Sequence, residues 1–77
     1  MDELIGILSD IRPDVDFRNE KDLVGRGIID SFDVVTIIAF IDEKFDVMIP
    51  PEYILPKYFY SAKTIYDLIT GLKDANI

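Results

Sequence analysis

A chain of 77 residues, 49% of them hydrophobic, has room for a single core, so we expect residues 1–77 to form one domain. Cysteine and histidine are absent, which excludes disulfides, thiolate or imidazole metal sites and the usual histidine-dependent hydrolases. The formal net charge of −7, from 15 acidic and 8 basic residues, argues against a nucleic-acid partner, because such a field repels phosphate.

The first predicted element is an amphipathic helix that ends before Pro13. Its apolar residues recur at three- and four-residue spacing, and they are Leu4, Ile5, Leu8 and Ile11. No sustained period follows from Pro13 to Ile29, which predicts a long loop. A connection of this length in a small domain needs anchors, and the apolar candidates are Phe17, Leu23, Ile28 and Ile29.

The strongest helical pattern follows Asp30 and Ser31. Its apolar residues fall at i, i+3, i+4, i+7 and i+11, and they are Val34, Ile37, Ile38, Ile41 and Phe45. The many β-branched residues also permit a strand, but a strand does not account for helical spacing that continues to Phe45. Either Asp30 or Ser31 can cap the amino end of this helix.

Two further helices are predicted after the proline pair Pro50-Pro51. A short one, Glu52 to Leu55, is closed by Pro56, and Ser61 caps a last one. The buried stripe of the last helix is Ile65, Leu68, Ile69 and Leu72. The expected fold is therefore all-α, a bundle of three longer helices plus one short helix. The predicted core consists of Leu4, Leu8, Ile11, Val34, Ile37, Ile41, Phe45, Ile65, Leu68 and Ile69.

Acidic residues are concentrated in the middle of the chain. Residues 30–52 contain one basic residue, Lys44, and six acids, which are Asp30, Asp33, Asp42, Glu43, Asp46 and Glu52. Such a face predicts a basic partner surface, or else simply a solvated face that keeps a small protein in solution. The first residues are acidic where a secretory signal carries positive charge, and no apolar run spans a bilayer. We expect a cytoplasmic monomer without membrane insertion.

The segment Gly27-Ile28-Ile29-Asp30-Ser31-Phe32 leads from a turn to a serine at the amino end of the best helix. Unpaired N–H groups and the positive end of the helix dipole stabilise a phosphate attached at such a position. An Asp-Ser pair before a helix also serves as an ordinary N-cap, so the pair alone does not establish a modification site.

Three segments, Asp30-Ser31-Phe32, residues 41–50 and residues 64–69, together resemble the acyl and peptidyl carrier protein family. The resemblance covers nearly the whole chain and is densest from Gly27 to Pro50. It implies an acyl-carrier-like fold and a non-catalytic role as the substrate of partner enzymes. It also implies that Ser31 receives 4'-phosphopantetheine from coenzyme A, transferred by a separate magnesium-dependent phosphopantetheinyl transferase. The reactive thiol then belongs to the prosthetic arm, which fits a chain without cysteine.

The same resemblance implies that the second helix is the recognition face for partners. The expected partners are the transferase and acyl or aminoacyl ligases and synthases with basic docking surfaces. The partner-recognition residues that the resemblance indicates are Asp30, Phe32, Asp33, Val35, Ala39, Asp42 and Glu43. Asp30 can also act as the helix cap, and for Val35 and Ala39 the alternative is partial burial against the loop.

Two positions depart from the pattern of fatty-acid carriers. Phe32 stands where they usually have leucine, and Thr36 stands where they usually have glutamate. The segment Ile28-Ile29-Asp30-Ser31-Phe32 resembles more closely the D-alanyl, aminoacyl and stand-alone specialised carriers. The pathway that the resemblance implies is fatty-acid, polyketide or nonribosomal peptide synthesis. The alternative is a housekeeping fatty-acid carrier, and the identity of the cargo stays open.

Two other classes of function are compatible with parts of the sequence. An unmodified acidic helical interaction domain would use the same face while Ser31 serves only as a cap. An enzyme would need a base beside Ser31, where Asp30 and Asp33 are the only candidates. The acids of residues 14–16 do not continue into a calcium-loop pattern, so no metal site is predicted.

Overall fold

The computed structural model describes residues 1–75, and the regular secondary structure in this part of the chain is entirely helical. It consists of α1 (Asp2–Ile11), α2 (Ser31–Phe45), a 3₁₀ turn (Pro51–Tyr53) and α3 (Ala62–Ala75). The prediction of an all-α class is therefore confirmed. Helix α1 packs against both α2 and α3, so the core lies where the three helices meet.

The ends of α1 and α2 lie close to where the sequence predicts them. The Arg12 N–H donates to the Leu8 carbonyl at 2.9 Å and caps α1 one residue before Pro13. At the far end of α2, Asp46 adopts the left-handed conformation (φ 55°, ψ 43°) that terminates many helices. The end of α1 therefore follows from Pro13, whereas α2 ends at Phe45, before the proline pair Pro50-Pro51 that the sequence suggests as its limit.

The short helix predicted for Glu52–Leu55 is wrong in extent and type. The chain forms only a three-residue 3₁₀ turn, Pro51–Tyr53, and Ile54 already leaves helical geometry (φ −85°, ψ 71°). Leu55 precedes Pro56, and a proline disfavours the α conformation in the residue before it. The described residues thus form three α-helices and one 3₁₀ turn, and a fourth α-helix is not among them.

Eight of the ten predicted core residues are buried in one cluster, and they are Leu4, Leu8, Val34, Ile37, Ile41, Ile65, Leu68 and Ile69. The other two, Ile11 and Phe45, are only partly buried, because each is the last residue of its helix and packs at the edge of the core. Sequence periodicity missed Val47, Ile49 and Phe59, which are buried from non-helical segments.

The long loop before α2 is anchored as predicted. Phe17, Leu23 and Ile29 are at most 2% exposed, and Ile28 packs partly against the same core. The Leu23 N–H donates to the Tyr60 carbonyl at 3.0 Å, which joins the loop to the segment before α3. These contacts fix the approach of the chain to Asp30.

Within residues 1–75, no helix combines the length and the apolar character needed to cross a bilayer.

Candidate functional site

The amino end of α2 is capped by Asp30, which leaves Ser31 as the first helical residue. Asp30 has an extended backbone, and its Oδ1 accepts a 2.9 Å hydrogen bond from the Asp33 N–H. In return, Asp33 Oδ2 accepts a 3.2 Å bond from the Asp30 N–H, which completes a capping box. Of the two caps that the sequence permits, the structure therefore uses Asp30. The Ser31 hydroxyl is not used by the cap, and Ser31 is exposed.

Two N–H groups at this helix end have no partner among the described residues. The first four N–H groups of an α-helix lack an intrahelical acceptor. Here the Asp33 N–H is satisfied by Asp30, and the Val34 N–H donates to the Asp30 carbonyl at 3.0 Å. The N–H groups of Ser31 and Phe32 remain, and the helix dipole adds positive potential at the same place. These two N–H groups can donate hydrogen bonds to an anionic group attached to Ser31.

The loop holds Ser31 at the surface by burying the residues just before it. Gly27 adopts a left-handed conformation (φ 71°) that a residue with a side chain rarely takes, and it turns the chain toward α2. Ile29, two residues before Ser31, is 1% exposed and belongs to the core. A buried anchor this close to the helix start fixes the position of the serine.

Asp33 does not behave as a free surface acid. Its side chain is 14% exposed, and its Oδ2 accepts a 2.8 Å hydrogen bond from Arg12 Nη1 in addition to the bond from Asp30. Arg12 Nε also donates to Asp14 Oδ1 at 3.4 Å. The bonds to Asp14 and Asp33 raise the pKa of Arg12, and the bond from Arg12 lowers the pKa of Asp14. The Asp33 carboxylate is therefore engaged inside the protein and offers little to a partner.

An apolar groove lies beside Ser31. It has a volume of about 240 Å³ and runs between the start of α2 and residues 54–59. Its walls include Val24, Val34, Leu55 and Phe59, and Ser31 contributes the one hydroxyl of the lining. The Ser31 hydroxyl therefore stands at the border between an apolar surface and the polar helix end. Sequence periodicity does not predict this groove, because its walls come from segments that are distant in the chain.

One face of α2 exposes large apolar side chains next to Ser31. Phe32 is 79% exposed and Val35 is 63% exposed, and Ala39 follows on the same face and is also exposed. The alternative of partial burial for Val35 and Ala39 is therefore wrong. Asp42 and Glu43 continue this face toward the carboxyl end, and both are exposed. An exposed face on which apolar side chains are concentrated is typical of an interaction surface.

Five of the seven predicted partner-recognition residues lie on one exposed face of α2, and Asp30 is exposed just before the helix begins. We call this face the α2 face, and its members are Phe32, Val35, Ala39, Asp42 and Glu43. The sequence missed Arg12, which contacts the site from 21 residues away through Asp33 and carries no periodic signal. Sequence analysis also missed Ile54, an exposed residue after the proline pair that lines the groove beside Ser31.

Residues 1–75 contain no group of three or more acids that could hold a metal ion. The Asp30 and Asp33 carboxylates each accept a hydrogen bond in the capping box, and neither is hydrogen-bonded to the Ser31 hydroxyl. No family model, curated protein or solved structure matched this chain when each was compared. Functional assignment therefore depends on the geometry around Ser31 and on the sequence resemblance.

Asp30→Ala is expected to lower the free energy of unfolding by about 1 kcal/mol, because it removes the side chain that caps α2. Asp42→Ala is the matched control, since Asp42 is exposed on the same helix and takes no part in the cap. Its effect should stay within about 0.5 kcal/mol. Urea unfolding followed by circular dichroism measures both, and equal effects would show that the capping box contributes nothing.

Proposed function

We propose that this chain is an acyl carrier protein that carries acyl or aminoacyl groups as thioesters on a 4'-phosphopantetheine arm attached to Ser31. The observation that carries the proposal is the exposed Ser31 hydroxyl at the first position of α2, where Asp30 has taken over the cap. The resemblance of Asp30-Ser31-Phe32 and of the two downstream segments to carrier proteins points the same way. The helical fold with its long anchored loop is compatible with an acyl-carrier-like bundle.

The residues around Ser31 suit a phosphodiester. Ser31 Oγ forms the new bond to the phosphorus that bears pantetheine in coenzyme A, and the phosphoanhydride bond to adenosine bisphosphate breaks. The hydroxyl proton passes to a base of the transferase. The unpaired N–H groups of Ser31 and Phe32 then face a negative charge, which the helix dipole also stabilises. When bound, the arm supplies the thiol that forms the thioester.

The apolar groove beside Ser31 supports the same proposal. Its lining is almost entirely aliphatic and aromatic, and it opens next to the attachment point. A short acyl group or an apolar part of the arm can lie there without leaving polar atoms buried and unsatisfied. Ile54 and Leu55, each at least 40% exposed, flank this groove from the segment after the 3₁₀ turn.

The direct test is incubation of the purified chain with coenzyme A, magnesium and a promiscuous phosphopantetheinyl transferase, followed by intact mass measurement. We expect a gain of one phosphopantetheine group per chain. A chain that gains no mass, under conditions that load an established carrier protein, contradicts the proposal.

We propose that the chain is a stand-alone carrier of a specialised or cell-wall-related pathway. The alternative is a housekeeping fatty-acid carrier. The resemblance supports the specialised class at Thr36, because fatty-acid carriers usually have a glutamate there and threonine adds no charge to α2. Charging the loaded chain with candidate ligases separates the two classes. Loading of D-alanine favours the cell-wall branch, whereas preference for malonyl or long-chain acyl groups favours fatty-acid synthesis.

Partner enzymes of this carrier should dock on the α2 face through a basic surface with an apolar centre. The Asp42→Lys/Glu43→Lys double variant is expected to slow association with the transferase about tenfold at low salt, because charge at such a surface steers encounter. The matched control is Glu3→Lys/Asp10→Lys on α1, which makes the same change in net charge at two exposed positions. Surface plasmon resonance at increasing salt measures both. Equal slowing in the two variants would contradict a specific α2 face.

A second candidate function is an unmodified helical interaction domain. The observation that favours it is the joint exposure of Phe32 and Val35, 79% and 63%, because an exposed apolar patch marks an interaction site whether or not Ser31 is modified. The two candidates separate cleanly in the loading assay. An interaction domain would remain unmodified while Phe32→Ser still weakened its capture of a partner.

A further inference from the structure

We propose that Arg12 is a positioning residue for Ser31, because its guanidinium holds the Asp33 carboxylate and thereby fixes the amino end of α2. This inference rests on the proposed function for its consequence at Ser31. The structural step, in which Arg12 fixes the Asp33 side chain, does not depend on the proposed function and can be measured on the unmodified chain.

The capping box of α2 has a third member, Arg12, which lies just after the end of α1. Asp33 Oδ2 accepts two hydrogen bonds, one of 3.2 Å from the Asp30 N–H and one of 2.8 Å from Arg12 Nη1. Because one oxygen serves both donors, the rotamer of Asp33 that closes the box is also the one that Arg12 selects. The Arg12 bond is charge-assisted and the shorter of the two, so it contributes more to fixing this rotamer.

Arg12 is itself held in place from two sides. Its N–H caps α1 by donating to the Leu8 carbonyl at 2.9 Å, and its Nε donates to Asp14 Oδ1 at 3.4 Å. Its side chain is 34% exposed. The guanidinium therefore connects the end of α1 to the start of α2, which are the two ends of the long loop.

Charge adds a second reason for an arginine at this position. Asp30 and Asp33 flank Ser31 within one helical turn, and a phosphodiester on Ser31 would place a third negative charge beside them. Among residues 1–75, Arg12 is the one cation that forms an ion pair with this turn. It offsets the charge of Asp33 and so reduces the repulsion that coenzyme A and the attached phosphate would meet.

The other two arginines of this loop region provide matched controls. Arg26 pairs with Glu20 at 3.1 Å and Arg18 pairs with Asp2 at 2.8 Å. Neither pair contacts α2, and both arginines are more exposed than Arg12. Arg26→Gln therefore removes the same charge and one ion pair without touching the helix that carries Ser31.

The test combines amide hydrogen exchange on the unmodified chain with transferase kinetics on Arg12→Gln and Arg26→Gln. In Arg12→Gln we expect the Asp30 and Asp33 amides to exchange about fivefold faster, and kcat/KM for loading to fall by a similar factor. Arg26→Gln should leave both unchanged. Arg12→Lys keeps the positive charge but replaces the guanidinium by a single ammonium group, so it should recover part of the loading rate. Such a recovery would not be expected if Arg12 acted only through the overall stability of the fold.

If Arg12→Gln does not fold, Asp33→Asn tests the same contact from the other side, because it keeps an acceptor but removes the charge. Unchanged exchange at Asp30 and Asp33 would overturn the positioning role, even if the wild-type chain is loaded normally. Faster exchange with an unchanged loading rate would overturn the link to Ser31. A wild-type chain that is not loaded at all refutes the proposed function, and the consequence drawn for Ser31 falls with it.

Discussion

Ile41→Ala is expected to lower the free energy of unfolding by about 2–5 kcal/mol. Ile41 lies in α2, has no exposed surface and belongs to the cluster where the three helices meet. Truncation removes buried methyl groups and leaves a cavity that the surrounding helices fill only in part. Since a core of this size supplies only about 3–5 kcal/mol of net stability, the loss is comparable to the whole margin. Urea unfolding followed by circular dichroism measures it.

Val35→Ala is the matched control for this prediction. Val35 lies on the same helix, is 63% exposed and loses methyl groups of similar kind. Its effect should stay within about 0.5 kcal/mol, as is usual for surface positions. If Ile41→Ala is unfolded before denaturant is added, Ile41→Val should cost about 0.5–1.5 kcal/mol and give the same sign. An unchanged unfolding midpoint in both Ile41 variants would mean that the rotational phase of α2 is incorrect.

Ser31→Ala is expected to abolish phosphopantetheine loading while leaving the fold intact. Alanine has no oxygen to attack coenzyme A, so the expected loss is complete rather than partial. The fold should be retained because Asp30 supplies the cap and the Ser31 side chain is exposed. The unfolding free energy should therefore change by less than about 0.5 kcal/mol. Intact mass after transferase treatment and urea unfolding of the same sample give both readouts.

The two remaining serines of the chain control for this result. Ser61 caps α3, since its Oγ accepts a 3.3 Å bond from the Thr64 N–H, and Ser9 lies within α1. Ser61→Ala should cost about 1 kcal/mol of stability but still accept the arm. Ser9→Ala should also be loaded. A mass gain that survives Ser31→Ala would move the attachment site elsewhere and contradict the proposal.

Local chemistry explains how much of this fold could be predicted from the sequence. The helical spacing from Val34 to Ile41 gave α2 and its buried side, and Ser61 marked the start of α3. The segment after the proline pair Pro50-Pro51 is predicted less well. Pro56 restricts Leu55, so the chain forms a 3₁₀ turn instead of the short helix expected over Glu52–Leu55. Phe45, at the last position of α2, was assigned to the core although it lies at the core's edge.

The candidate site also has a part that the sequence predicts and a part that it does not. The position of Ser31 at a helix start, and the exposure of Phe32, follow from residues that are neighbours in the chain. The bond between Arg12 and Asp33 joins residues 21 apart, and it depends on how the long loop folds back. The groove beside Ser31 likewise needs Phe59 from a distant segment. Tertiary contacts of this kind leave no periodic trace in a single sequence.

The most direct measurement of the central claim is fragment mass spectrometry of the wild-type chain after treatment with coenzyme A and the transferase. The carrier function predicts one phosphopantetheine group, located on the peptide that contains Ser31, with Ser9 and Ser61 unmodified. A group on either of those serines, or a chain that stays unmodified beside a loaded control carrier, would contradict it.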